Sequence, residues 1–434
     1  MPPIPGPGTP DDDFIDARPG GAYAGQTELY GNGGNDEIFG DAAGGNKLVG
    51  DYADQVIDGD IIGGNDEHSV GDSDGNRLYG DNVTATSAFG DIIGGDDEIT
   101  FGGGGRTNVN GDSAVASTVG ANSDIIGGDD EITVGGGDSR KMYGDSATAN
   151  TTGIDSDIIG GDDVISVGEG VDDNDGNKLY GDNGDARNGS PREIGGGDII
   201  GGDDELRVGV GGVGNDGNTL YGDSEEAFAY GFGDVIGGND ELSVGDGDGN
   251  VLYGDSYYSY TESGNVIGGD DELTVGDGDG NSLYGDSREV EADGDVIGGN
   301  DVLSAGDGAD LLCGDSRGAI AGGAVIDGGD VLMGGGGGGD NMWGDTGDVT
   351  GTHIAGEDTF VFKAGETGVN TIHDFNIGGV NDEIQLVDID EDDVSIGATG
   401  GTSTSIFISG GSGSQTIVVT NFGAPLTIGD IDFA

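Results

Sequence analysis

Ten times along the chain a Gly-Gly-Asx-Asp segment, or a close variant of it, is followed 14 to 19 residues later by an apolar pair and Gly-Asp. The first signature starts at Gly33, Gly63, Gly94, Gly127, Gly160, Gly201, Gly237, Gly268, Gly298 and Gly328, so the units are 30 to 41 residues long. The second signature reads LYGD from Leu78, Leu179, Leu220, Leu252 and Leu283, with variants such as MYGD from Met142 and LCGD from Leu312. A fixed period of this length means stacked supersecondary units, none of which can bury a core alone. In GGDDELTVGDGDGNSLYGDS (268–287) the apolar pieces are two or three residues long, separated by Gly-Asp and Asp-Gly turn pairs. Period-two alternation places Ile267, Leu273, Val275 and Leu283 on one face. The expectation is an all-β chain: a right-handed parallel β-roll or β-solenoid of about ten coils. Coils spaced about 4.8 Å apart would give a rod of roughly 48 Å. The variable length falls after the Gly-Asp and reads as surface excursions, the longest being NGDARNGSPREIGGG (183–197).

Charge sets the next constraint. Of 434 residues, 86 are acidic and 13 are Lys or Arg, a formal charge of −73, and 101 are Gly. Such a chain is either disordered or has its charge cancelled by bound cations, and the periodicity favours the second. A polyanion of this strength repels nucleic acid and anionic membrane surfaces. No apolar run approaches the length that spans a bilayer, so no membrane insertion is expected. Glycine does not fall at every third residue, which excludes collagen.

Stacking turns the repeated acids into ladders. One precedes the inward Leu or Ile: Asp36, Asp66, Asp97, Asp130, Asp163, Asp204, Asp240, Asp271, Asp301 and Asp330. A second belongs to the Gly-Asp: Asp51, Asp81, Asp112, Asp145, Asp182, Asp223, Asp255, Asp286, Asp315 and Asp345. A third precedes the next apolar pair: Asp60, Asp91, Asp124, Asp157, Asp198, Asp234 and Asp295. Like charges at strand spacing repel, so these ladders require cations between them. With three His, one Cys and four Met, the chain is not built for zinc or copper. Carboxylates, Asn side chains and Gly carbonyls are hard oxygen donors that suit calcium, while magnesium prefers to keep its waters. Turns such as Asp246, Asp248, Asn250 and Asp277, Asp279, Asn281 alternate Asp and Asn and read either as further calcium-binding turns or as plain polar turns. In two units the turn carries Arg106 or Arg140 and Lys141, cations in place of a calcium ion.

The segment AGDGADLLC (305–313), with Asp310, fits the nonapeptide GGxGxDxUx of the RTX (repeats-in-toxin) family except at its first position, and NGGNDEIFG from Asn32 is close. Asp340 falls in the corresponding place one unit later. The resemblance covers residues 30–345 and implies calcium held between successive coils of a parallel β-roll. The units here depart from it: most space their halves by ten residues, as from Leu273 to Leu283, and carry an extra apolar piece.

Three regions are expected: an acidic Pro-rich arm (1–30), the solenoid (31–348) and a C-terminal β cap (349–434). The last segment, PLTIGDIDFA, resembles the C-terminal signal of substrates of type I secretion machinery, and the N-terminus has no conventional signal-peptide pattern. Together these imply an extracellular or cell-surface protein of a Gram-negative bacterium that folds on calcium after export. Cys313 replaces a Tyr of sister units and reads as space-filling. The matches to G-x-S-x-G at Gly71 and Gly314 are products of the repeat, no HExxH occurs around His68, His353 or His373, and no enzyme is expected. The tyrosines Tyr79, Tyr143, Tyr180, Tyr221, Tyr253 and Tyr284 should point outward as a ladder, either covering the backbone and stacking on one another or forming a glycan- or partner-binding stripe. The leading expectation is a structural rod of a surface layer, filament or matrix, with possible homopolymer formation. The alternative is an adhesin using Phe228, Tyr230, Phe232, Tyr257, Tyr258 and Tyr260 to bind a cell-surface glycan.

Overall fold

The computed structural model describes residues 8–41, 45–72, 74–103, 106–153, 155–168, 170–171, 173–189, 197–376, 382–397, 403–410, 413–420 and 426–434. Residues 1–7 of the arm, 190–196 of the longest excursion, 104–105 of the Arg106 turn and 425 of the final segment lie outside the described residues.

The chain is a parallel β-solenoid built of three long sheets. Sheet A stacks the strand after Gly-Gly-Asx-Asp, as in Glu241–Asp246, Glu272–Val275 and Val302–Ser304, all parallel and in register. Sheet B stacks the short strand before Gly-Asp, as in Val251–Tyr253, Ser282–Tyr284 and Leu311–Cys313. Sheet C takes two strands from most coils, for example Glu289–Ala292 and Val296–Ile297. The excursions are therefore not surface loops. Each contributes a strand paired with its equivalents above and below, as Thr84–Ser87 pairs with Val115–Thr118. Their inward residues are small (Ala85, Ala116, Ala149, Ala186, Ala227), so no hydrophobic run announces them.

A coil consequently has two lobes. Sheets A and B enclose one core of Leu, Ile, Val and Met, including Leu273, Val275 and Leu283. The two strands of sheet C enclose a second, thinner core that includes Val266, Val290, Ala292 and Val296. Val266, not Ile267, is the inward residue of its pair. Ile267 is half-buried, because a strand of two residues takes its phase from the turn before it.

The tyrosines stack on one another as expected but do not face solvent. Tyr143, Tyr180, Tyr221, Tyr253 and Tyr284 are buried and form a column of their own that ends on Cys313. Their rings stack at 4.6, 4.8, 5.1 and 5.2 Å. Tyr257 covers the edge of Tyr253, and the Tyr180 hydroxyl donates to Glu225 at 2.8 Å. Side chains at the entry to sheet C close over the rings, which alternation along sheet B alone does not reveal.

Both ends join the stack. Phe14–Asp16 and Glu28–Tyr30 are the first strands of sheets A and B. At the other end Thr359–Lys363, Glu383–Val387 and Ile431–Phe433 extend sheet A, and Gly368–Ile372 with Gly413–Thr420 extend sheet B. A meander of Val394–Ile396, Ser403–Gly410 and Gly413–Thr420 supplies antiparallel pairing. Sheet C stops at Asp348–Ile354.

Candidate metal centre

Between the two lobes the chain crosses itself twice per coil, once at Gly-Gly-Asx-Asp and once at Gly-Asp. Glycine is required there because the crossings touch: a Cβ on Gly285 would lie 1.7 Å from the Gly314 carbonyl oxygen and 2.0 Å from Asp301 Oδ2. This waist brings the first two acidic ladders together. Each first-ladder Asp accepts, through Oδ1, the backbone N–H of its equivalent one coil earlier. The series runs from Asp36 through Asp66, Asp97, Asp130, Asp163, Asp204, Asp240, Asp271 and Asp301 to Asp330, at 2.5–2.8 Å. In all ten the second oxygen, Oδ2, is buried with no hydrogen-bond partner. The second-ladder Asp residues take an N–H from the next Gly-Gly, as Gly299 donates to Asp286 at 3.0 Å and Gly269 to Asp255 at 3.2 Å. Several of them, including Asp51, Asp81, Asp112, Asp145 and Asp315, also keep an unpartnered buried oxygen.

The result is a column of carboxylate triads. Asp66, Asp81 and Asp97 offer oxygens within 4.8 Å of one another, as do Asp97, Asp112 and Asp130, then Asp130, Asp145 and Asp163, then Asp163, Asp182 and Asp204. Each triad takes two acids from successive rungs of the first ladder and one from the second. Burial, reinforced by neighbouring carboxylates, pushes these groups up: Asp51 to about 6, Asp112 to about 7, Asp66 and Asp182 to about 8, and Asp97, Asp130 and Asp271 well above the ordinary range. A buried carboxylate without a counter-charge costs several kcal/mol. The column therefore fits either protons or a series of hard cations, and the all-oxygen donor set fits calcium.

The other acids are placed apart from the triads. The third ladder lines the turn into the second strand of sheet C, with Asp60 exposed and Asp91, Asp124, Asp157, Asp198, Asp234 and Asp295 half-buried. Its Oδ1 atoms accept backbone N–H groups of the next coil, for example Asp198 from Asp234 at 2.9 Å and Asp295 from Ala324 at 2.8 Å. In the turn between sheets A and B, Asp246 and Asp248 accept from the N–H groups of Asp277 and Asp279 at 3.0 and 2.7 Å. Asn250 gives its N–H and Nδ2 to Asn281 Oδ1 at 2.9 and 3.2 Å, and Asn281 gives its N–H to Asp310. Asp310 and Asp340 continue this buried ladder, each with an unpartnered Oδ2 and a carboxyl pushed up by burial, to about 6 and about 7. Arg140 takes one rung of it and donates to the Gly135 and Gly136 carbonyls at 2.9 Å each; Arg106 and Lys141 are exposed.

The first ladder also outruns the repeats. Asp330 donates its N–H to Asp358 Oδ1 at 3.0 Å, Asp358 to Asp382 at 3.3 Å, and Asp13 donates to Asp36 at 2.6 Å. GEDTF (356–360) and NDEI (381–384) hold the signal: an Asp two residues before an inward Phe360 or Ile384. Asp374 likewise accepts the N–H groups of Gly344 and Asp345, both at 3.2 Å.

Of the aromatic residues, Phe228, Tyr230, Tyr258 and Tyr260 meet on the outer face of sheet C with ring centroids 5.5–6.2 Å apart. Phe232 is exposed and outside these ring contacts, and Tyr257 packs on the tyrosine column instead.

No protein-family model and no curated protein matches this chain.

Proposed function

We propose that this is a secreted calcium-binding structural protein whose coils fold on calcium into a rigid rod, an element of a surface layer, filament or extracellular matrix. The observation that carries this reading is the column of buried carboxylate oxygens without partners, repeated at every rung from Asp36 to Asp330. Metal-binding free energy is folding free energy when the site does not exist in the unfolded chain. Abundant calcium outside a cell would then switch the fold on, and a low-calcium cytosol would leave the chain extended for export by a type I system. The resemblance to RTX repeats supports the same reading. Circular dichroism against calcium with reversal by chelator, followed by electron microscopy of the same sample, tests it. Structure that forms at neutral pH without calcium would overturn the central claim, and compact monomers only would remove the assembly.

A second reading, an adhesin, draws on the Phe228–Tyr230–Tyr258–Tyr260 cluster, flanked by Arg187 stacked 5.0 Å over Phe228 and by Glu291, which accepts from the Tyr258 hydroxyl at 3.2 Å. Aromatic faces beside carboxylates suit a sugar ring. A glycan array probed with the calcium-loaded chain decides: silence there eliminates this reading.

A further inference from the structure

The tenth coil breaks the repeat at two positions that touch. In the turn before sheet A, Asp327 stands where the preceding coils have glycine. Its N–H donates to Ile354 as that of Gly298 does to Ile326, and Gly328 donates to Asp315 as Gly299 does to Asp286. In Gly298 itself a Cβ would fall 1.6 Å from Asp315 Oδ1, so packing alone argues against any side chain at this position. One coil on, His353 pairs in register with Val325, and Val325 with Val296. It thus takes a slot that the preceding coils fill with buried Ile or Val. The two departures meet: His353 Nε2 contacts Asp327 Oδ2, and the Thr346 hydroxyl donates to Asp327 Oδ1 at 2.7 Å. Asp345 completes the group, with its oxygens held by the Gly356 N–H at 2.7 Å and by Asn376 Nδ2 at 3.2 Å.

We propose that Asp327, Asp345 and His353 form a site for one divalent transition metal of the zinc class. Their donor atoms lie within 4.8 Å of one another. Two carboxylates and one imidazole leave a coordination position open, as in zinc sites with three protein ligands. An imidazole is a poor ligand for calcium and a good one for zinc, so this site selects a different ion from the all-oxygen column. The Asp327 side chain is 1% exposed and that of His353 36%, which gives a buried anchor and an open approach. Further uncompensated negative charge lies close by. Asp315 and Asp330 each keep a buried oxygen with no partner, and burial first, then neighbouring carboxylates that include Asp327, push both carboxyls up. Neither of the other histidines competes. His68 is sealed in the A/B core, and His373 stacks 3.9 Å from Trp343 and contacts Asn341.

The test uses the full chain in saturating calcium, dialysed against micromolar Zn2+ and assayed for both metals. Wild type should retain one zinc per chain. His353→Val and Asp327→Gly, which restore the residues of the coil before, should retain none while keeping calcium content and circular dichroism. Zinc absent from wild type, or held equally by both variants, overturns the proposal. Should the variants misfold, the imidazole nitrogen resonances of wild type decide, since zinc must shift His353 and leave His68 and His373 in place. Zinc and calcium contents are read separately, so failure here leaves the calcium reading untouched, and the reverse.

Discussion

Asp130 shows what one side chain does in the waist. Its Oδ1 holds the Asp97 N–H at 2.6 Å, its Oδ2 is unpartnered, and it belongs to two successive triads. Asp130→Asn keeps the hydrogen bond and removes the charge. The metal-free fold should gain stability, on the order of a few kcal/mol, while the calcium-loaded form loses affinity at both neighbouring sites. Calorimetric calcium titration beside chemical denaturation in chelator would check the opposed effects; a loss in both states would show that Asp130 acts only through packing. At this scale the two ladders of the waist were legible, because each Asp keeps a fixed distance from an inward Leu or from a Gly. The partners of the third ladder were not. That Asp198 Oδ1 accepts the Asp234 N–H follows from which lobe of the coil the turn borders, and one unit of sequence does not carry that.

At the scale of the strand, the sequence reads well where inward residues are large and poorly where they are small. Leu273 and Leu283 announce sheets A and B. The strand Thr148–Thr151 has only Ala149 and Thr151 inward, and its place in sheet C shows once coils are stacked and its register with Asp185–Asn188 is seen. The stacking of the tyrosines is legible and their burial is not, for a related reason: alternation gives the face of sheet B but not what folds over it. Tyr180→Ala should therefore cost about 3–5 kcal/mol, the range for deleting a large buried ring, and weaken near-ultraviolet circular dichroism. A loss within about 0.5 kcal/mol, typical of surface positions, would mean the column is not packed as described. Gly285→Ala should be harsher than its size suggests, since the new methyl group meets backbone at 1.7 Å. The readout is protease sensitivity localised to that coil.

At the scale of the whole chain, the proposed calcium reading makes stability a function of pH and calcium together. The folded carboxyls lie above their unfolded values, so the metal-free fold binds more protons than the unfolded chain. Its stability is fully present below about pH 4, the unfolded value. It falls as pH rises through the folded values of about 6 for Asp51, about 7 for Asp112 and about 8 for Asp66. Without calcium the chain should fold in mild acid and lose its structure on neutralisation. With calcium it should stay folded at neutral pH, and binding should release protons, more at pH 6 than at pH 8. Circular dichroism across that range, with and without chelator, measures the difference.

The triads have one more consequence. Asp97 serves the site below it with Asp66 and Asp81, and the site above it with Asp112 and Asp130. No triad belongs to a single coil, so on the proposed calcium reading a coil would become firm only when its neighbour arrives. A chain emerging through a narrow passage into calcium would thus lock one step at a time, each captured ion barring retreat. The ladder would rectify thermal motion into outward travel, and calcium on the far side would supply the pull.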